Sequence, residues 1–256
     1  MTVIHQPGPP LVIGHRGAAA VRPENSLPSF QHALDLGVDA LEFDVRVSAD
    51  GVAVVHHDAT TGRMCGEDLH IDQSTSRQLR TLDAATRFTG SYRPVGQTVI
   101  PLLDEVLALT SGVPVIIECK TVDAAPLVLK ALASHGATAR AVVGSFQHGA
   151  MQHVRSAGSA SGASRRDMIA LLARSVVRLA PSRLPYAAMC IPERSSGVSL
   201  PIARFARWGA TLGVPVHVWT VNEAVDAHRL WDMGVTGVIS DDPALILAAR
   251  AARRPR

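Results

Sequence analysis

Eight short, nearly continuous apolar runs punctuate the chain: LVIGH (11–15), ALEFDV (40–45), VAVVHHD (52–58), VIIECK (115–120), AVVGSF (141–146), AAMCI (187–191), VHVWTV (216–221) and GVIS (237–240). Most are rich in Val, Ile and Ala with little alternation, the pattern of strands covered on both faces. Helical patterns with recognisable ends lie between most of them. Asn25-Ser26 can cap a helix running to about Leu36, where Gly37 stops it. Pro101 can start PLLDEVLALT, Asn222 can cap EAVDAHRLWDM before Gly234, and Asp241-Asp242 with Pro243 can open PALILAARAA. Eight parallel strands with helices between them in 256 residues predict an α/β fold, a (β/α)8 TIM barrel forming a single domain over residues 1–256. A doubly wound sheet is the alternative, but no G-x-G-x-x-G turn follows the first run.

Two links break the alternation. Only VRVSADG joins Asp44 to Val52, too short for a crossover helix. The expectation is that residues 45–49 run back down the barrel and turn at Asp50-Gly51. Residues 59–97, after the third strand, are the opposite case: long, polar and Gly-containing, with one short helical stretch after Ser74-Thr75. They read as an insertion, a lid or small subdomain with little apolar clustering. SAGSASGAS (156–164) reads as a loop, and the rest of 156–196 gives the weakest pattern, with some helix and the sixth strand.

Composition narrows the function. Apolar residues make up 47% and charged residues 18%, an ordinary globular balance. No apolar run approaches the ~18 residues of a membrane span, and MTVIHQPGPP does not resemble a secretory leader. Cys65, Cys119 and Cys190 are far apart and odd in number, which disfavours a disulfide framework and points to a reducing cytoplasm. The net charge of +3 is mild, with Arg250, Arg253, Arg254 and Arg256 read as a solvated tail. With aromatics at only 4%, a nucleic-acid partner is not expected.

Polar residues gather at strand ends, where a barrel presents its mouth: His15 and Arg16, Glu42 and Asp44, His57, Glu118 and Lys120, Trp219. Glu42 and Asp44 are two apart in a strand and share a face, with Phe43 and Val45 on the other; Glu118 and Lys120 repeat the geometry. Three carboxylates in one mouth must be paired or bind metal. Arg16 and Lys120 can pair with two, and an all-oxygen set suits Mg2+ or Ca2+ better than Zn2+. His15 and His57 can serve as acid and base, since imidazole titrates near pH 6.5. His56 alternates to the opposite face, and His217 reads as a hydrogen-bonded core histidine. Two imidazoles, three carboxylates and two cations together suit phosphodiester cleavage, with the cations holding the non-bridging oxygens.

The ordered set HRG (15–17), PENS (23–26), EFD (42–44), DG (50–51), HHD (56–58), ECK (118–120), VWTVN (218–222) and GVISDDP (237–243) resembles the glycerophosphodiester phosphodiesterase family over nearly the whole chain. The resemblance implies a barrel with an insertion after the His-Asp element. It implies Ca2+ or Mg2+ on Glu42, Asp44 and Glu118, and His15 and His57 as acid and base. It also implies Arg16 and Lys120 on the phosphate and Trp219 as a cleft wall. The implied reaction releases glycerol 3-phosphate and an alcohol from a small diester such as glycerophosphocholine or glycerophosphoethanolamine, a neighbouring glycerol hydroxyl attacking phosphorus first. Ser26 stands where the family usually has Thr, and still caps a helix. The competing readings are a phospholipase acting on intact lipids or lysophospholipids, which would need an apolar rim or interfacial helix; a non-catalytic barrel binding phosphate esters; and, more distantly, a two-carboxylate glycosidase.

Overall fold

A computed structural model describes residues 3–6, 10–92, 95–195 and 197–253; Arg254 and Arg256 lie outside the described residues. The strands are β1 (Leu11–His15), β2 (Ala40–Val47), β3 (Ala53–Val55), β4 (Val115–Cys119), β5 (Ala141–Gly144), β6 (Met189–Pro192), β7 (Arg194–Ser195), β8 (Val198–Ser199), β9 (Val216–Trp219) and β10 (Gly237–Ser240). Parallel pairing runs β5-β4-β2-β1-β10-β9-β6, while β7 and β8 form a separate small hairpin. The remaining gap between β5 and β6 is bridged by Ser161 and Gly162, each in a parallel bridge, to Val143 and Ala188 respectively. Gly162 N donates to Val143 O and Ala163 N to Ala188 O, both at 2.9 Å. Eight parallel positions therefore surround one axis, with helices outside, as expected of a (β/α)8 barrel.

The membership of that ring differs from the sequence expectation in one place. β3 is no barrel strand: it pairs antiparallel with β2, Val45 opposite Val55. The chain does not run back after Val45; β2 continues to Val47, turns through Ser48–Gly51 and returns as β3. A seven-residue link can close a hairpin but cannot carry a crossover. The eighth position falls instead to Ser161-Gly162, inside the stretch read as a loop. Two small residues make no apolar run, so periodicity has nothing to register.

Alternation within the strands divides the interior into layers. Leu11, Ile13, Ala40, Ile116, Val142, Ala188 and Ile239 form an apolar plug lower in the barrel, joined by Ile4. Each inward-facing series then turns polar as it climbs: 11 and 13 lead to His15, 40 to Glu42 and Asp44, 116 to Glu118. Phe43, Val45, Ile117 and Cys119 face outward into the layer between sheet and helices, where the rings of Phe30 and Phe43 meet edge-on at 5.5 Å. The plug is sealed by hydrogen bonds: His217 Nε2 lies 3.1 Å from Ile4 O, and His5 Nε2 3.1 Å from Ala141 O. His217 is a buried, bonded core histidine, as its position in the sequence suggested.

Three local expectations need revision. The helix Leu103–Leu109 is capped by the Glu105 side chain accepting from Leu102 N at 2.8 Å, so Pro101 precedes the cap rather than opening the first turn. The insertion has a core of its own, with Met64, Cys65, Ile71, Leu79, Leu82 and Ala84 packed on Val54 and Ile100. These side chains come from short turns and single-turn helices, so no regular period announces them. Arg250 and Arg253 are not a loose tail: Arg250 pairs with Asp39, and Arg253 with Asp232 at 2.9 Å.

Candidate active site

The strand register brings the polar ends together. His15 on β1 lies opposite Glu42 on β2, and Asp44 opposite Glu118 on β4. One carboxylate oxygen from each of Glu42, Asp44 and Glu118 can be chosen so that all three lie within 4.8 Å of one another. His15, Arg16, Glu42, Asp44, His57, Glu118, Lys120 and Trp219 all line one cavity at the mouth. All eight residues singled out from the sequence thus share a single space.

Their charges are arranged unevenly. Lys120 Nζ lies 2.8 Å from Asp44 Oδ1 and 2.9 Å from Glu118 Oε1. Arg16 Nε approaches Asp44 Oδ2 to 3.1 Å as an ionic contact without hydrogen-bond alignment, and Asn25 Nδ2 donates to the same oxygen at 2.9 Å. Burial works against the Asp44 charge, but Lys120 and Arg16 outweigh it and hold its carboxyl below the ordinary range. Glu42 is different. Among the described residues its Oε2 has only the Arg16 amide at 3.3 Å and His15 Nε2 at 3.8 Å. Burial, with Asp44 repelling from the same face, pushes the Glu42 carboxyl up to about 7.

Each histidine has an aspartate behind it. His15 Nδ1 is 2.5 Å from Asp241 Oδ1, and Asp241 is held by Asn222, whose Nδ2 donates to Asp241 Oδ2 at 2.8 Å while its Oδ1 accepts from Asp241 N at 2.9 Å. Burial disfavours the imidazolium of His15, yet the Asp241 bond and the Glu42 charge prevail and raise its pKa. His57 Nδ1 is 2.7 Å from Asp58 Oδ1. Asp58 Oδ2 accepts from Arg63 Nε at 2.5 Å, and Arg63 donates in turn to both oxygens of Glu24, at 2.6 and 2.9 Å. Glu24 also receives Arg16 Nη1 at 2.8 Å. A chain of alternating charges thus runs from His57 through the insertion to Arg16. Burial alone would raise Asp58, but His57 and Arg63 hold it down at about 2.

The backbone supports this layout locally. Arg16 and Gly17 both have positive φ, 51° and 93°, so the chain doubles back as it leaves β1. A Cβ on Gly17 would lie 2.4 Å from Ser29 Oγ, the hydroxyl that donates to Arg16 O at 3.0 Å and accepts from Ala18 N at 2.8 Å. His57 reaches the mouth because β3 folds back on β2, with His56 N donating to Asp44 O at 3.0 Å. His56 itself is buried and bonded through Nε2 to Thr60 O at 3.1 Å.

Asp241, Asn222, Asn25, Asp58 and Glu24 stand inside the family-like motifs without a role at the site predicted for them, and Arg63 stands outside those motifs. Asp241 follows β10 directly, so the strand-end rule that found the others could have found it. The helix cap expected of Asn222 falls to Glu223, without a side-chain bond, and Asn222 turns to Asp241. Arg63 carried no signal, because its contacts depend on how the insertion folds.

With this geometry in place, comparison with known proteins is decisive. Residues 15–245 match the Glycerophosphoryl diester phosphodiesterase family. The chain belongs to that family. A glycerophosphodiester phosphodiesterase from Caldanaerobacter subterraneus is 28% identical over 247 residues, covering 93% of this chain and 96% of its own. The glycerophosphoryl diester phosphodiesterase domain of a Mycobacterium tuberculosis protein superposes with a TM-score of 0.81 at 22% identity, covering 96% of this chain and 100% of its own. An Oleispira antarctica phosphodiesterase, solved with its product sn-glycerol-3-phosphate, gives 0.77 at 24% identity, over 95% and 97% of the two chains. At those identities the two structures establish the barrel fold of the family. No helix among the described residues is long and apolar enough to cross a membrane.

Proposed function

We propose that this family member hydrolyses small glycerophosphodiesters, such as glycerophosphocholine or glycerophosphoethanolamine, to glycerol 3-phosphate and an alcohol, with His15 and His57 as the acid–base pair. The observation that carries the reading is the shared cavity: three carboxylates, two cations and two imidazoles in one barrel mouth.

The donor set fits a divalent cation. All three groups are hard carboxylate oxygens, and among the described residues no hydrogen bond or ion pair engages Glu42 Oε1 or Glu118 Oε2. Glu42, Asp44 and Glu118 would hold Mg2+ or Ca2+, whose chemistry there is neutralisation of the charge on the phosphate's non-bridging oxygens. Lys120 and Arg16 add fixed positive charge at the same mouth and keep Asp44 ionised. In each histidine the aspartate engages Nδ1, so Nε2 is the nitrogen left to face substrate. One Nε2 takes the proton of the attacking glycerol hydroxyl and the other returns a proton to the departing alcohol, each worth roughly 10²–10⁴-fold, and water then opens the resulting cyclic phosphate to glycerol 3-phosphate. Trp219, edge-on to Phe146 at 6.4 Å, lines the same cavity and adds an apolar wall to it.

We read residues 1–256 as one domain with 59–97 inserted in it, and the free state of all three cysteines fits a cytoplasmic setting. The test is release of glycerol 3-phosphate from glycerophosphocholine by the purified protein. Activity that survives both chelator and Glu42→Gln would end the carboxylate-site assignment.

A further inference from the structure

The helix Arg165–Val176 is apolar on two faces. Its inner face, Met168, Leu171, Leu172 and Ser175, packs on the barrel. At 3.6 residues per turn, Ile169, Ala170, Ala173, Val176 and Val177 fall on the opposite side. That side faces solvent: Ile169 is 61% exposed, Val176 77%, Val177 70%, and Leu179 just beyond the helix 58%. A helix on the outside of a barrel ordinarily turns charge outward. Here the charge flanks the stripe instead, with Arg165 on one side and Arg174 on the other, Arg166 at its head and Arg178 at its foot.

Unlike several other arginines of the chain, these four make no ion pair among the described residues. Arg16, Arg63, Arg80, Arg155, Arg229 and Arg250 are all in ion pairs. Among the described residues, no carboxylate pairs with Arg165, Arg166, Arg174 or Arg178; Arg166 touches only His148 Nε2, at 3.2 Å. The single acid of the helix, Asp167, is withdrawn to its cap, where it accepts from Ser164 N at 2.7 Å and pairs with Arg155.

We propose that this face docks the protein, barrel side-on, onto an anionic lipid bilayer surface. An aliphatic stripe bordered by arginines is the pattern of a helix lying in a membrane interface, its stems buried and its guanidiniums among phosphate headgroups. A second copy fits poorly. A two-fold contact would set the same arginines against one another, with no acid on the face to answer them. The docking is peripheral, and it does not depend on the chemistry assigned to the mouth.

The test is co-sedimentation of the full chain with vesicles of phosphatidylcholine alone and of phosphatidylcholine with an equal part of phosphatidylglycerol. Binding to the mixed vesicles only, released by salt, is expected. Partitioning should fall at least about tenfold in Arg174→Glu/Arg178→Glu and in Val176→Asp/Val177→Asp. Hydrolysis of dissolved glycerophosphocholine serves as the folding control and stays at the wild-type rate. No binding to anionic vesicles, equal binding to phosphatidylcholine alone, or variants that bind as wild type would overturn the proposal. So would a wild-type dimer in sedimentation equilibrium that Val176→Asp/Val177→Asp dissolves, which would make the face a contact between copies.

Discussion

Replacing Asp241 with asparagine keeps the size of the side chain behind His15 and removes its charge. In the folded protein the pair is 2.5 Å apart, with side-chain exposures of 13% for His15 and 29% for Asp241, so solvent screens it only partly. A hydrogen bond to a charged group is worth roughly 1.5–3 kcal/mol. Asparagine can still accept from Nδ1–H, which leaves a loss of about 1–2 kcal/mol, or about 5–30-fold if it falls on the transition state. The pH dependence has a definite sign. The folded pKa of His15 is raised above its ordinary 6.5. The pair's contribution is therefore complete below that value and disappears as pH rises through the folded pKa. Asp241→Asn should move the His15 limb of the kcat/KM profile for glycerophosphocholine to lower pH. In urea unfolding the loss should be larger by about 1–2 kcal/mol near pH 6 than at pH values above the folded His15 pKa. It comes on top of a pH-independent cost of roughly 1 kcal/mol, because the new amide NH2 meets the Asn222 Nδ2 that donated to Asp241 Oδ2. A profile whose limbs stay in place, with a stability loss equal in both pH ranges, would refute the role given to Asp241.

Three further outcomes follow from the same contacts. Arg63→Met breaks the links to Asp58 and Glu24 together, so kcat should drop about tenfold with a smaller change in KM; because Arg63 is half exposed, its effect on stability should stay within about 1 kcal/mol by chemical denaturation. Gly17→Ala puts a Cβ at φ 93° against Ser29, which should cost about 2–5 kcal/mol and lower Tm by roughly 4–20 °C in calorimetry. Asp58, held at about 2, contributes stability that is present above about pH 4 and lost as pH falls toward 2. Asp58→Asn should remove up to about 1 kcal/mol of that acid-dependent stability after solvent screening of the Asp58–Arg63 pair, read from unfolding curves at about pH 6 and pH 3.

The site was legible in the sequence wherever a strand carried it. A period of two ties Glu42 to Asp44 and Glu118 to Lys120, and the apolar residues between them fix which face is inward. His57 was found by type while its strand was misassigned, because VAVVHHD has the composition of a barrel strand and only the seven-residue link betrays the hairpin. Ser161-Gly162 left no trace, since a two-residue strand of small side chains has no hydrophobic pattern. The contacts behind the histidines were illegible for another reason. Asp241 stands directly after β10, within reach of the strand-end rule, but its bond to Asn222 and the Asp58–Arg63–Glu24 chain join residues from separate loops, and no local periodicity encodes which loops meet.

Hydrolysis is expected to depend on one divalent-cation site formed by Glu42, Asp44 and Glu118. Calorimetric titration of Mg2+, Ca2+ and Mn2+ into chelator-treated protein, paired with glycerol 3-phosphate release by the same samples, tests it most directly. One ion should bind per chain, activity should return in step with occupancy, and both should be lost in Glu42→Gln. Full turnover by protein that binds no ion, or ion binding untouched by Glu42→Gln, would contradict it.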